Sequence, residues 1–318
     1  MSGPSPTSLA SSLNLRRIRA FIAVAEFKSV SEAARRLNMT PPAISKSLRE
    51  LEQSLDAALL TRTQKGMFLT AAGEAFFVRA KLAVSELEQG ADEIAVLKGT
   101  AHNRIVIGAL PNGSQPIVPI AVANVLRKRP VMRVSIRGGS YDLLETAVRA
   151  GELDMVVGGL REGMEREGLV TEILFHDELA IIVRPDHPLM KRRKLPVNAL
   201  AGHRWLLPDF ESGLRERVEG AFDRANLKRP MDWLEVTPLS AMRTLVRETD
   251  YLAITTRMRV RDELDFGLLA ELPVRLPGFA EPIAVVHRPT TSMSRDSILL
   301  LDEIRRTAAD FARRVGQG

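Results

Sequence analysis

Residues 29–52, SVSEAARRLNMTPPAISKSLRELE, decide how the first part of this chain folds. Ser29 and Glu32 have the spacing of a capping box. Val30, Ala33, Ala34 and Leu37 follow at the i, i+3, i+4, i+7 positions of one buried helix face. Asn38 and Met39 form a tight turn. Thr40 can cap a second helix, and Pro41 takes its first position, where a missing N–H is harmless and a fixed φ suits the helix. Ile44, Leu48, Leu51 and Leu55 line the inner side of that helix, which turns Pro42, Ser45, Lys46 and Arg49 outward. Two short helices around a tight turn, the second with a small and basic outer face, are the pattern of a helix-turn-helix. Small or hydroxyl side chains allow close approach to the major groove, and Lys or Arg reaches guanine edges or phosphate oxygens. Taken alone, the pattern equally describes a three-helix core with a solvated charged face.

Charge separates the two readings. Residues 14–66 contain ten Lys and Arg (Arg16, Arg17, Arg19, Lys28, Arg35, Arg36, Lys46, Arg49, Arg62, Lys65) against five acids, a net +5, while the whole chain is only +6. A basic excess confined to the one segment with a recognition helix is the footprint of a phosphate-binding module.

From Thr70 to Lys98 there is no proline, and Phe77, Ala80, Val84, Leu87, Ala91 and Ile94 recur at steps of three and four. That is a heptad seam on a helix of more than about 40 Å, longer than one small domain covers. The same helix of a second copy, packed isologously, would bury it and set two recognition helices on two half-sites; packing on the chain's own C-terminal half is the other option. Gly99-Thr100 marks a hinge.

Beyond the hinge, strands alternate with helices. Strands are expected at 104–109, 132–137 and 154–158 with helices at 116–129 and 141–150. A second series has strands at 180–184, 204–207, 234–237 and 252–255 with helices at 212–226 and 240–247. This alternation implies a parallel α/β sheet in each of two similar subdomains. Residues 282–287 read as a strand returning to the first, and 294–314 as a final amphipathic helix.

Residues 13–98, and more loosely the whole chain, resemble the LysR-type transcriptional regulators of bacteria. The marks are the Phe21 helix, Ala33 with Ala34 and Leu37, Pro42-Ala43-Ile44-Ser45, Leu51-Glu52, Arg62, and the Leu69-Thr70 to Gly73 entry into the long helix. Pro41 stands where the family often has Gln, removing one base contact, and Leu60 where it usually has Phe. The Thr40-Pro41-Pro42 start and the Val156-Val157-Gly158 strand are similar to the branch that includes sugar-responsive and aromatic-acid-responsive members.

The resemblance implies an α+β multidomain protein. Its parts are a flexible tail (1–13), a winged helix-turn-helix (14–69), a linker and dimerisation helix (70–98), and a C-terminal α/β effector domain (99–318) like a type II periplasmic binding protein. The last divides into subdomain I, about 99–165 and 275–318, and subdomain II, about 166–274. It also implies a wing made by Arg62 and the Gln64-Lys65-Gly66 turn, for which a plain hairpin loop is the lesser alternative. The candidate DNA contacts are then Ser31, Thr40, Pro41, Pro42, Ser45, Lys46, Arg49, Arg62 and Lys65. Double-stranded DNA carrying an interrupted palindrome near a promoter is the expected partner, with RNA polymerase beside it. A homo-oligomer is expected, a dimer through the linker helix, and the family is commonly tetrameric.

Ligands of open α/β sheets lie at the carboxyl ends of strands, where helix N-termini offer free N–H groups. That selects Asn112, Gly113, Ser114, Ser140, Tyr141 and Gly159 on one subdomain, and Phe210, Ser240 and Thr255 on the other. A capping role explains several of these as well as ligand contact does. Donor-rich helix starts favour an organic acid or another anion, and a sugar also suits a polar cleft.

Nothing in the chain outlines catalysis. Five histidines are scattered without close pairing and fit loops or the surface; there is no GxSxG, GxGxxG or GxxxxGK[ST] motif. The expectation is no enzyme, no metal and no cofactor beyond a small-molecule co-inducer. With no cysteine, thiol-based switching is excluded. Residues 1–13 lack the basic start and apolar run of a signal peptide, and no long apolar window occurs, so a cytoplasmic protein without a membrane partner is expected. Lys191-Arg192-Arg193-Lys194 reads as a solvated basic loop that could also touch DNA or another subunit.

Overall fold

The computed structural model describes residues 13–98, 104–110, 116–159, 168–192, 194–209, 213–228, 230, 232–274, 276 and 280–315. Residues 1–12 of the tail expected at 1–13, the Gly99-Thr100 hinge and Arg193 lie outside these residues. The chain forms two compact units, each considered by itself.

In the first unit, helix α1 (Leu15–Phe27) starts where Asn14 accepts the N–H of Arg16 at 2.8 Å, and ends at Lys28 in the left-handed region. Helix α2 (Val30–Arg36) is capped by Ser29, whose Oγ accepts the N–H of Glu32 at 3.3 Å. The capping box is only half of what its spacing suggests. The Glu32 carboxylate takes Arg35 at 2.7 Å and Arg36 at 3.1 Å. Asn38, at φ 52°, makes the turn, a conformation asparagine tolerates better than most residues. Helix α3 (Pro41–Leu55) then begins under Thr40, whose Oγ1 accepts the N–H of Ala43 at 3.4 Å, with proline at its first position as expected.

Strands β1 (Leu60–Thr63) and β2 (Gly66–Leu69) form an antiparallel hairpin with Thr63 opposite Gly66. Glu52 near the end of α3 fixes this hairpin. Its Oε1 accepts the N–H of Leu59 at 2.8 Å and of Leu60 at 3.2 Å, donors that no strand partner takes. Phe21 is fully buried beneath α3, with Phe76 and Phe77 at 5.6 and 6.1 Å between ring centroids. Those two rings come from helix α4 (Ala71–Leu97), which starts where Thr70 Oγ1 accepts the N–H of Gly73 at 3.0 Å. Along α4, Ala80 is buried but Leu87 is 61% and Ile94 54% exposed, so the far half of the heptad seam is bare.

The second unit contains two five-stranded sheets. Its elements in chain order are β3 (Arg104–Ala109), α5 (Ile117–Lys128), β4 (Arg133–Gly138), α6 (Tyr141–Arg149, whose residues 145–149 are counted with the first unit), β5 (Met155–Gly159), β6 (Val170–Asp177) and β7 (Leu179–Val183). There follow β8 (Trp205–Leu207), α7 (Gly213–Arg224), β9 (Trp233–Glu235), α8 (Leu239–Glu248), β10 (Leu252–Thr256), α9 (Arg261–Asp265), β11 (Ala270–Glu271), β12 (Glu281–His287) and α10 (Arg295–Val315). The strand orders are β4-β3-β5-β12-β6 and β11-β7-β10-β8-β9.

Each series of alternating strands and helices is parallel, as β3 with β4 and β5, and β10 with β8 and β8 with β9. The sheets as wholes are mixed, against the expectation of parallel ones. β12 runs antiparallel to both β5 and β6, and β7 antiparallel to β10 and β11. The reason is connectivity. β6 crosses into β7 with Glu178 alone between them, and β12 returns from the other sheet, so neither arrives through a helix crossover. Residues 170–177, assigned by sequence to subdomain II, therefore lie in the sheet of subdomain I.

Ile107, Ile117, Met155, Ile283, Val285 and Leu300 belong to the apolar core of the first sheet. Trp205, Phe222, Leu252 and Ile254 belong to that of the second, the two aromatic rings meeting edge-on at 5.1 Å. The histidines are less scattered than their spacing implied. His187 and His203 lie 5.9 Å apart, and His187 and His287 are buried instead of lying on the surface. His287 Nε2 lies 3.0 Å from Glu172 Oε1, and Arg305 of α10 donates to the same carboxylate at 2.5 and 2.8 Å.

Two outcomes follow from these contacts. Glu52→Ala leaves two N–H groups without their acceptor and lowers stability by about 1–3 kcal/mol, measurable by urea unfolding. The Arg305 guanidinium, with help from His287, holds the Glu172 carboxyl down at about 2. That stabilisation is complete above the ordinary carboxylate pKa and is lost as pH falls through about 2. Arg305→Ala is therefore less stable than the native chain at neutral pH, and the gap closes as pH falls from about 4.5 to about 2.

Candidate DNA-reading face and effector cleft

The burial of Ile44, Leu48 and Leu51 commits the opposite side of α3 to solvent. Thr40, Pro41, Pro42, Lys46 and Arg49 are exposed there and Ser45 is half-buried, while Ser31 is exposed on α2. Arg62 and Lys65 are exposed on the hairpin. The hairpin turn is tightened by Thr63, whose Oγ1 accepts the N–H of Lys65 at 3.1 Å. Gly66 has φ +119°, and a Cβ on it would strike the carbonyl oxygen of Lys28, which accepts the N–H of Met67 at 2.9 Å.

The basic excess divides into paired and unpaired cations. Arg17 meets Glu50 at 2.8 Å, Arg19 meets Glu88 at 2.9 Å, and Arg35 and Arg36 share Glu32. Lys46 is 3.9 Å from Glu50, a distance at which an exposed pair contributes little. Among the described residues Arg49, Arg62 and Lys65 make no ion pair; Arg49 donates only to the Ser45 carbonyl one turn back, at 3.3 Å.

Of the cleft residues, Asn112, Gly113, Ser114 and Phe210 lie outside the described residues. Ser140 and Ser240 are exposed and accept helix-start bonds through their carbonyl oxygens, from Leu144 N–H and Thr244 Oγ1, both at 3.1 Å. Tyr141 packs against Ala284 and Val286 of β12. Gly159 and Thr255, at the carboxyl ends of β5 and β10, flank a set of buried charges that the sequence reading did not include.

Glu281 is 3% exposed and stands opposite Asp177, 2% exposed, in the β12–β6 register. The Glu281 carboxyl occupies the place where a Cβ on residue 159 would stand. Arg259 donates from Nη1 to Thr255 Oγ1 at 3.4 Å, and its backbone carbonyl accepts from Arg243 Nη2 at 3.1 Å. Arg243 in turn pairs with Glu263 at 2.8 Å. Burial pushes the Glu281 carboxyl up to about 7, against the pull of Arg217 and with a further push from Asp177. Burial likewise raises Asp177 to about 6, although Met258 N–H donates to it at 3.4 Å. Burial lowers Arg259 below the usual guanidinium range. Glu281 opens a strand that reads PIAVVH, and nothing in its sequence neighbourhood distinguishes it from a loop acid.

Among the described residues no cluster of His, Asp and Glu could hold a metal ion, and no helix is long and apolar enough to cross a membrane.

Two family models cover almost all of this architecture. "Bacterial regulatory helix-turn-helix protein, lysR family" matches residues 15–74 and "LysR substrate binding domain" matches 98–309. The chain is 30% identical over 297 residues to the HTH-type transcriptional regulator GalR of Pseudomonas putida, covering 93% of this chain and 75% of that protein. It is 29% identical over 299 residues to the HTH-type transcriptional regulator PcaQ of Agrobacterium fabrum, covering 94% and 96%. The crystal structure of ArgP from Mycobacterium tuberculosis shares the fold, with a TM-score of 0.70 at 19% identity over 93% of this chain and 97% of that one. The chain belongs to the LysR family of DNA-binding transcriptional regulators, with an N-terminal helix-turn-helix and a C-terminal effector-binding domain.

At Gly159, even one methyl group must displace the Glu281 carboxyl or the strand behind it. Gly159→Ala lowers stability by about 1–3 kcal/mol, read as a lower melting temperature of the intact chain.

Proposed function

We propose that this regulator binds an interrupted palindrome near a promoter as a homo-oligomer and changes its DNA geometry when a small molecule enters the cleft between the two sheets. The observation that carries the DNA assignment is the exposed set Arg49, Arg62 and Lys65, cations without acidic partners among the described residues, beside a helix whose first residues are small. Lys46 and Arg49 reach bases or phosphates from α3, with Ser31, Thr40, Pro41, Pro42 and Ser45 allowing close approach, and Arg62 and Lys65 contact backbone or minor groove from the hairpin.

The exposed Leu87 and Ile94 on α4 support pairing of that helix with its copy, which would bury the bare seam and relate two recognition helices by a dyad. Pairing of such dimers into tetramers, and contact with RNA polymerase, belong to the same proposal. The effector acts by its different affinity for two subunit arrangements, and no catalysis, metal or further cofactor is needed. The protein works in the cytoplasm, where its DNA is.

The test is footprinting on the chain's own upstream DNA with and without sugars and aromatic acids, at fixed salt. A protected palindrome that shortens or shifts with one compound is expected; no sequence-specific protection overturns the reading. Arg49→Ala weakens operator binding about tenfold or more if it touches a base, and flattens the salt dependence by about 0.9 if it touches phosphate. Gel-shift titration at several salt concentrations distinguishes the two, and effector binding is unchanged.

A further inference from the structure

Among the described residues, the Glu281 carboxyl group has no sufficient partner. Burying an ionised carboxylate is unfavourable by several kcal/mol unless a counter-ion and hydrogen bonds replace water. Glu281 has neither in full, and its Oε2 finds no hydrogen-bond donor among the described residues. The charged groups facing it are Asp177 from β6, Arg259 from the turn after β10, and Arg217 from α7. The next cations outward are already engaged, Arg243 with Glu263 at 2.8 Å and Arg257 with Glu271 at 2.7 Å. His176, one residue before Asp177, is exposed.

Position adds a second line of argument. Gly159 closes β5 of one sheet, Thr255 lies near the end of β10 of the other, and both strands end at this cluster. Glu281 lies against the first, and Arg259 is bonded to the second. Carboxyl ends of strands are where ligands of such sheets sit. Here the glycine leaves room for a carboxyl group to stand at that end. Among the described residues Arg259 Nε is also without a hydrogen-bond partner, so an unused donor and an unused carboxyl oxygen belong to two side chains that interact electrostatically.

We propose that Glu281 and Arg259 form the subsite for the carboxylate of a small organic acid, Glu281 donating its O–H and Arg259 supplying the counter-charge. A cationic ligand would meet Arg259 and Arg217. An uncharged polyol would satisfy hydrogen bonds but leave the charge of Arg259 unbalanced. A carboxylate accepts from both donors at once. Burial lets Glu281 hold its proton up to about pH 7. Below that, it donates a hydrogen bond without transferring the proton. Above it, the ionised form takes up one proton from solvent for each acid bound. The idea rests on the reading of this cleft as the effector site, and deepens it by naming the ligand class and the group that recognises it.

The test is thermal unfolding of the full chain with acetate, benzoate and succinate, against sodium chloride of equal ionic strength and against glucose and benzyl alcohol. At least one carboxylate is expected to raise the melting temperature at about pH 6, since a ligand of the folded state alone stabilises it. Its affinity should fall toward tenfold per pH unit above about pH 7. Glu281→Gln, which keeps an amide donor but cannot titrate, binds the same acid with no such fall between about pH 7 and about pH 8.5. Arg259→Met, folded by the same melt, loses the shift. The proposal is overturned by the absence of any carboxylate-specific shift, by an equal shift with the uncharged compounds, or by an unaltered pH dependence in Glu281→Gln. Footprinting with the same compounds separates the two ideas. If glucose and no acid alters the footprint, the effector site stands and the carboxylate subsite falls. If an acid raises the melting temperature but leaves the footprint unchanged, the subsite stands and the effector reading falls.

Discussion

The inner stripe of α3 is the constraint on which the reading face depends. Ile44 and Leu51 reach full burial only with the helix rolled so that Pro42, Lys46 and Arg49 point away from the Phe21 core. Each such side chain is worth about 1.5–3 kcal/mol when buried, so the roll of the helix is set by more energy than any single surface contact supplies. Glu52 then carries that orientation to the hairpin through two backbone N–H groups, and the wing is positioned relative to the recognition helix by hydrogen bonds rather than by loop length. The arginines around this core are paired with acids, Arg17 with Glu50 and Arg35 with Arg36 on Glu32, so that few of its cations stand without an acidic partner among the described residues.

The second unit works under a different constraint. β6 passes from one sheet into β7 of the other across a single residue, and β12 returns. Backbone that crosses there must bury its polar groups, and the side chains beside it, Asp177 and Glu281, are buried with it. Their raised carboxyl pKa values, and the lowered one of Arg259, come first from that loss of water. Elsewhere the same unit shows the opposite solution. Glu172 also lies in a sheet, within β6, but Arg305 and His287 close on it and keep it ionised. One carboxylate is neutralised by partners, the other by its proton, and only the second retains unused hydrogen-bonding capacity.

Most of the fold was legible because its signals are local. Ser29 and Thr40 act through bonds to residues three positions away and Pro41 through its own fixed φ, so their spacing alone locates two helix starts. The alternation of strands and helices likewise gave the parallel cores of both sheets. What failed was long-range. The antiparallel placement of β12 depends on where a chain returns from, and β6 was assigned to the wrong sheet because its partner lies over a hundred residues further on. His187 with His203, and His287 with Glu172, pair across distances no motif spans. At the cleft, sequence selected the glycine and the threonine at strand ends but not the acid and the arginine between them.

The sequence by itself determined the helix-turn-helix, its outward basic face, the long heptad helix and the existence of two α/β series, since each follows from periodicity, capping and charge within a short window. Only the tertiary structure decided which cations remain unpaired, which strands run antiparallel, and which carboxyl groups lose their water. Those properties depend on the neighbours a residue acquires when distant segments meet, and desolvation, the largest influence on Glu281, has no signature in the residues beside it in the chain.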